Sequence, residues 1–260
     1  MGLFPRFDEE EPGRSPDVPR RTGFSRFWKI LRRYVFDDFK AGFLALLGCV
    51  PFIAGMFLAV TAYAMALAPV CGLIGGAIAG PQLCALADTL LRSLRDDTGG
   101  VWWRTYRRAW GRSAKASLLP GAVGGALLAT QLFMLLHADA LQVNLPMSAA
   151  LVLGILFLLG LSLYLWSQLA LMELGFGQLI KNSALLFIGQ LPRTAAALGV
   201  LAAYILVSLR FFAAALSLLP LTNFWLPVLP ALFLIYPGLE QAFRLDEKFR
   251  SDQKPPEDIL

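Results

Sequence analysis

From residue 41 to residue 87 this chain carries no charged side chain, and most of that stretch is apolar. The run is more than twice as long as the ~20 residues that cross a hydrocarbon core of roughly 30 Å. It therefore reads as a hairpin of two membrane spans, residues 41–66 and 67–91, with Pro51 kinking the first and Pro69 marking the turn. Four further runs follow at residues 117–136, 147–174, 194–218 and 221–241, the last two joined by a turn at Pro220. Pro227, Pro230 and Pro237 in the last run predict a bent or partly unwound helix, whose freed carbonyls need partners. A hydrophobic fraction of 57% against 16% charged residues leaves too little charge to cover a soluble domain.

The cations fix the expected orientation. Of 23 Lys and Arg residues, all but Arg210 fall in segments that six crossings place on one side. The turn near Pro69, the loop over 136–146 and the Pro220 turn carry no cation. The positive-inside rule assigns the basic side to the cytoplasm, which puts both termini there in a multi-pass protein of a bacterial cell membrane. Residues 1–22 hold Asp8, Glu9, Glu10 and Glu11 and no apolar core of the kind a signal peptide needs. Arg6 stands where a myristoylation signal requires Ser or Thr. The expected organisation is a disordered tail over 1–22, one transmembrane helical domain over 23–245 and a second disordered tail over 246–260.

The fold class follows: an all-α polytopic bundle of about six transmembrane helices with interfacial amphipathic helices. Residues 24–39 alternate Phe27, Trp28, Leu31, Tyr34 and Val35 with Arg26, Lys29, Arg32 and Arg33 at helical spacing, which predicts a helix lying flat among headgroups. Residues 178–193 form a second such segment. Gly72, Gly76 and Gly80 make a double GxxxG stripe that lets a neighbouring helix approach closely. Cys49, Cys71 and Cys84 lack CxxC spacing and a nearby His, so they read as small packed thiols and not as metal ligands or a disulfide.

Several polar residues stand out against this background. Arg210 is expected within the fifth span, beyond the midplane, where a guanidinium is expensive without a partner or water. Gln131 and Asn223 are its candidate neighbours. Asp88, Glu173 and Glu240 lie near the inner ends of three spans. Asp88 and Glu240 each precede an arginine by four residues, Arg92 and Arg244, a spacing that suits intrahelical ion pairs. Glu173 has no such partner. Arg210, Glu173, Asp88 and Gln131 thus form a candidate intramembrane polar set. Residues 102–115 are different: Trp103, Tyr106 and Trp110 share one face, with Arg104, Arg108, Arg112 and Lys115 on another. So close to two spans, this segment suits anionic lipid first and a protein partner second, and nucleic acid is not the expected partner. The sole histidine, His137, has no nucleophile or paired acid at meaningful spacing, and neither HExxH nor GxxxxGK[ST] occurs. No enzymatic activity, metal or cofactor is expected.

Three stretches resemble the YesL-like family of small bacterial integral membrane proteins of unknown function. One is Leu67, Ala68, Pro69, Val70, Cys71 and Gly72 leading into the second span. Another is the run from Arg92 through Asp96, Asp97, Gly99 and Gly100, followed by Trp103, Tyr106, Trp110 and Lys115. The third runs from Leu179 through Lys181, Asn182 and Ser183 to Leu186, with Leu191 and Pro192 beyond. Their order matches the family across most of residues 24–250. Cys71 stands where the family commonly has Thr, and the first span lacks an expected Asn. The resemblance implies an accessory role beside carbohydrate uptake systems, with a sugar permease or sensor as partner, and implies no reaction. The alternative reading is a small solute transporter or channel with a polar cavity near Arg210.

Overall fold

The computed structural model describes residues 24–95 and 101–243. The expected tails, Arg244 and the acidic turn at residues 96–100 lie outside the described residues. Among the described residues there is no strand, and eight helices follow one another: α1 (Phe24–Thr61), α2 (Leu67–Arg95), α3 (Trp102–Leu136), α4 (Leu145–Leu171), α5 (Phe176–Gly189), α6 (Leu191–Arg210), α7 (Phe212–Thr222) and α8 (Trp225–Phe243). Six of them are long and apolar enough to cross a membrane. The chain is an all-α integral membrane protein.

α1 differs from the expected flat helix followed by a separate span. It is one helix of 38 residues, about 57 Å at 1.5 Å per residue. Ile30, Tyr34, Asp38, Ala41, Ala45, Cys49, Met56 and Ala59 are buried along its length. Their spacing of three, four or seven keeps one face toward the protein throughout, so nothing forces a turn before residue 41. The amphipathic half packs on the bundle, with Phe27 meeting Phe233 of α8 edge to face at 5.2 Å. The helix also runs through Pro51 without ending.

α2 occupies the centre. Along one side it runs antiparallel to α1: Gly55 faces Cys71, Gly48 faces Gln82, and Asp38 bonds Ser93. Along the other it runs antiparallel to α3, and here the glycine stripe has its counterpart. Gly72 and Gly76 lie against Gly125 and Gly121, and Gly80 against Ser117. A Cβ at Gly76 would stand 2.9 Å from the Gly125 Cα, and one at Gly125 2.8 Å from the Gly76 Cα. The two backbones touch because neither helix has side chains at the crossing. The turn before α2 lies at residues 62–66, where Tyr63 has φ 50°, and Pro69 sits inside the first helical turn, where its missing N–H costs nothing.

α4 begins on an N-cap, with the Asn144 side chain accepting from Met147 N–H at 3.0 Å. It ends at Leu171, and the segment expected as one amphipathic helix divides into α5 and the start of α6. Tyr164 and Thr194 share a hydrogen bond of 2.7 Å between α4 and α6.

The last two spans differ most from expectation. α6 ends at Arg210, and the chain turns at Phe211, not at Pro220, which lies within α7. Tyr204 donates to Thr222 at 3.1 Å, while Gly238 packs on Gln190. α7 and α8 therefore descend together, antiparallel to α6, as one span broken at Asn223. The break was expected from the prolines, yet it falls before all three of them.

The principal core lies where α1, α2, α4, α5, α6 and α8 meet, around Leu90, Leu94, Tyr164, Leu232, Ile235 and Leu239. A smaller one, around Met56, Ala59, Ala68, Ala129 and Phe133, closes the far end of α1–α3. Phe57, Leu153 and Leu206 are exposed on the outside, as lipid-facing side chains must be.

Candidate functional site

One polar cluster, around Asp88, joins α2, α3 and α4. Asp88 is buried in α2, and its two carboxylate oxygens are taken by two different arginines. Arg92 Nε, one turn along the same helix, donates to Oδ2 at 2.7 Å, the pair expected from spacing. Arg112 of α3 reaches Oδ1 at 3.4 Å, and the same nitrogen donates to the Ala170 carbonyl of α4 at 3.0 Å. That carbonyl belongs to the last turn of α4, which lacks intrahelical donors, so Arg112 both neutralises Asp88 and caps α4. Sequence spacing placed Asp88 in an interior set and Arg112 on a surface; the structure joins them.

A second contact holds the outer part of α3 to α2. Tyr106 is 4% exposed, and its hydroxyl donates to Gln82 Oε1 at 2.9 Å. Its ring lies against Trp102 at 5.3 Å and Trp103 at 6.2 Å between centroids. Lys40 of α1 stands over the Trp102 ring at 5.2 Å. Tyr106 is therefore removed from the expected lipid or partner face: it points inward, where an aromatic body with a polar tip satisfies both apolar core and Gln82. Trp103 and Trp110 remain outside, at 51% and 39% exposure, and Arg104, Arg107, Arg108 and Lys115 are exposed with them. α3 has 35 residues, ~52 Å, so this basic-aromatic half continues the helix well past one hydrocarbon thickness.

The expected intramembrane set does not assemble. Arg210 occupies the last turn of α6 and is exposed, its guanidinium 5.8 Å from the Phe211 ring centroid. It sat mid-span in the sequence reading because the span was run on to residue 218; with the turn at Phe211 it stands at a helix end, where a cation suits the C-terminal dipole and the headgroups. Glu173 is exposed in the connection between α4 and α5. Gln131 packs on Gly154 of α4, and its Oε1 is buried without a hydrogen-bond partner. These three lie on different elements from one another and from Asp88.

Two further polar residues are buried: Asn223, expected as a neighbour of Arg210, and Asp38, which was not singled out. Asn223, buried at the break between α7 and α8, accepts from Trp225 N–H at 3.1 Å and donates to the Pro220 carbonyl at 3.2 Å and the Phe39 carbonyl at 3.5 Å. One side chain thus satisfies groups freed by the break and ties it to α1. Asp38 is fully buried between α1 and α2, its Oδ1 hydrogen-bonded to Ser93 Oγ at 2.6 Å. Its signal was in the sequence: it falls on the face of Ile30, Tyr34, Ala41 and Ala45, not with the charged face of residues 24–39.

Cys49 and Cys84 are buried free thiols and Cys71 is half-buried against Gly55. Among the described residues no group of three or more His, Cys, Asp or Glu side chains is placed to hold a metal ion. No family model, curated protein or solved structure matches this chain.

Proposed function

We propose that the protein is a membrane-embedded accessory of a bacterial membrane system, linked to carbohydrate uptake, that works by holding a partner at its cytoplasmic end. The observation that carries this reading is the division of labour along α3. Tyr106 turns inward and Arg112 reaches across to Asp88 and Ala170, so the two tie the helix to α2 and α4, while Trp103, Arg104, Arg108 and Trp110 stay outside on the extension. Tryptophan and arginine are the side chains that dominate binding surfaces, because each buries a large area and retains a polar handle. Anionic headgroups occupy the part of this face nearest the apolar run, and the partner, a permease or sensor, takes the part beyond. The link to carbohydrate uptake comes from the resemblance to the YesL-like family.

The test is mass spectrometry of proteins that co-purify with the tagged full chain from gently solubilised native membranes. A permease or sensor recovered in stoichiometric amount supports the reading. Recovery of the chain alone, in a preparation that preserves a known complex, contradicts it.

A small transporter is the second reading, and the broken span at Asn223 favours it, since discontinuous helices line many transport sites. Solute movement into vesicles holding the purified chain alone would support transport over the accessory role.

A further inference from the structure

We propose that Asp38 is a proton-binding site: a neutral carboxylic acid that donates to Ser93 and whose ionisation loosens α1 from α2. Hydrogen counting carries this inference. Ser93 Oγ lies 2.6 Å from Asp38 Oδ1 and 3.2 Å from the Thr89 carbonyl. Both are acceptors if Asp38 is ionised, and a serine hydroxyl has one hydrogen to give. With the proton on Oδ1 both contacts are filled. The acid donates to Ser93, and Ser93 donates back to Thr89, the usual bond of a helical serine to the carbonyl four residues earlier. Oδ2 then remains as the carbonyl of a neutral acid; it is buried with no hydrogen-bond partner, a place where a full charge would be far more costly.

Among the described residues no cation pairs with Asp38. Asp38 is 0% exposed, and the charge that acts on it comes from Asp37, of like sign. Lys40 on the same helix pairs with Asp37 at 3.3 Å and stands over Trp102 of α3. On α2, Arg92 is engaged by Asp88, and Arg95, which has interactions of its own, lies beyond Ser93. Arg112 of α3 is held by Asp88 and Ala170. α8 carries Tyr236, buried, and Glu240, half-buried, each with other contacts. The two or three oxygens around Asp38 are too few for a metal cation, which takes about six, so the fitting ligand is a proton.

The site is independent of the partner face on α3, and its failure leaves that reading standing. It is tested on the purified full chain by infrared spectroscopy together with thermal unfolding. At neutral pH the wild type is expected to show the carbonyl stretch of an un-ionised carboxylic acid. Asp38→Asn, whose amide donates to Ser93 as the acid does, removes the band and keeps the fold; Asp88→Asn leaves it in place. Ser93→Ala shifts it, which assigns the band even if Asp38→Asn fails to fold. Raising the pH bleaches the band and lowers the wild-type unfolding temperature, because the folded state then holds a proton the unfolded chain has already lost. Asp38→Asn loses that dependence. Absence of the band at neutral pH, or a band indifferent to both Asp38→Asn and Ser93→Ala, overturns the proposal.

Discussion

Arg112 and Asp88 come from different helices and meet at 3.4 Å, and the arginine continues to the Ala170 carbonyl, so that one side chain ties α3 to both α2 and α4. The two partners are unequal. Asp88 is 4% exposed, whereas Arg112 is 46% exposed. Removing Asp88 breaks both bonds at once and empties a buried position, whereas removing Arg112 leaves Asp88 its shorter bond to Arg92. Asp88→Ala is therefore expected to cost about 1–3 kcal/mol, and Arg112→Gln about 0–1 kcal/mol. Thermal unfolding in detergent checks the order. A larger loss from Arg112→Gln would show that the cap on α4 matters more than the charge.

The α2–α3 crossing gives a sharper contrast between neighbours. Gly125→Ala drives a methyl into the backbone of Gly72 and Gly76, while Gly124→Ala meets nothing within 4 Å. The first is expected to separate the helices and abolish recovery of folded protein. The second is expected to gain roughly 0.5–1 kcal/mol, since alanine restricts the unfolded chain and suits a helix. Equal effects in size-exclusion chromatography and unfolding would contradict the register.

Asn223 holds the broken span. Asn223→Ala removes the acceptor for Trp225 N–H and the donor to the Pro220 and Phe39 carbonyls. A loss of about 1–3 kcal/mol is expected, with faster amide hydrogen exchange confined to residues near the break. Gly42→Ala should resemble it, because a Cβ there collides with the Asn223 side chain. Exchange that rises uniformly across the molecule would place the cost elsewhere.

Six spans could be read from apolar run length, because a bilayer imposes that length on every crossing. What the sequence hid were choices among faces and turns. Phe211 carries no turn signature, whereas Pro220 carries a strong one, so the fifth span was extended and Arg210 was carried into the apolar run. Tyr106 shares its helix with seven exposed aromatic and basic neighbours, and only Gln82, from a different helix, explains why it turns inward. Asp38 was not singled out, although the buried stripe from Ile30 to Ala45 passes through it. The glycine stripe of α2 was legible; its partners Gly121 and Gly125 needed the register of a helix pair.

Exposed charge on the α3 extension is expected to affect association without affecting folding. Arg104→Glu with Arg108→Glu should change stability by about 0.5 kcal/mol or less, since neither side chain is buried. The same pair should abolish co-purification of the partner. A lowered unfolding temperature would mean these arginines serve the fold.

The measurement that bears most directly on the partner face is site-specific photo-crosslinking in native membranes. A photoreactive residue is placed at Arg104 or Arg108, and at Leu153 on the apolar exterior as the comparison. The accessory role predicts one discrete protein adduct from the α3 positions and only lipid adducts from Leu153. Lipid adducts alone at Arg104 and Arg108, or a discrete protein adduct from Leu153 instead, would contradict it.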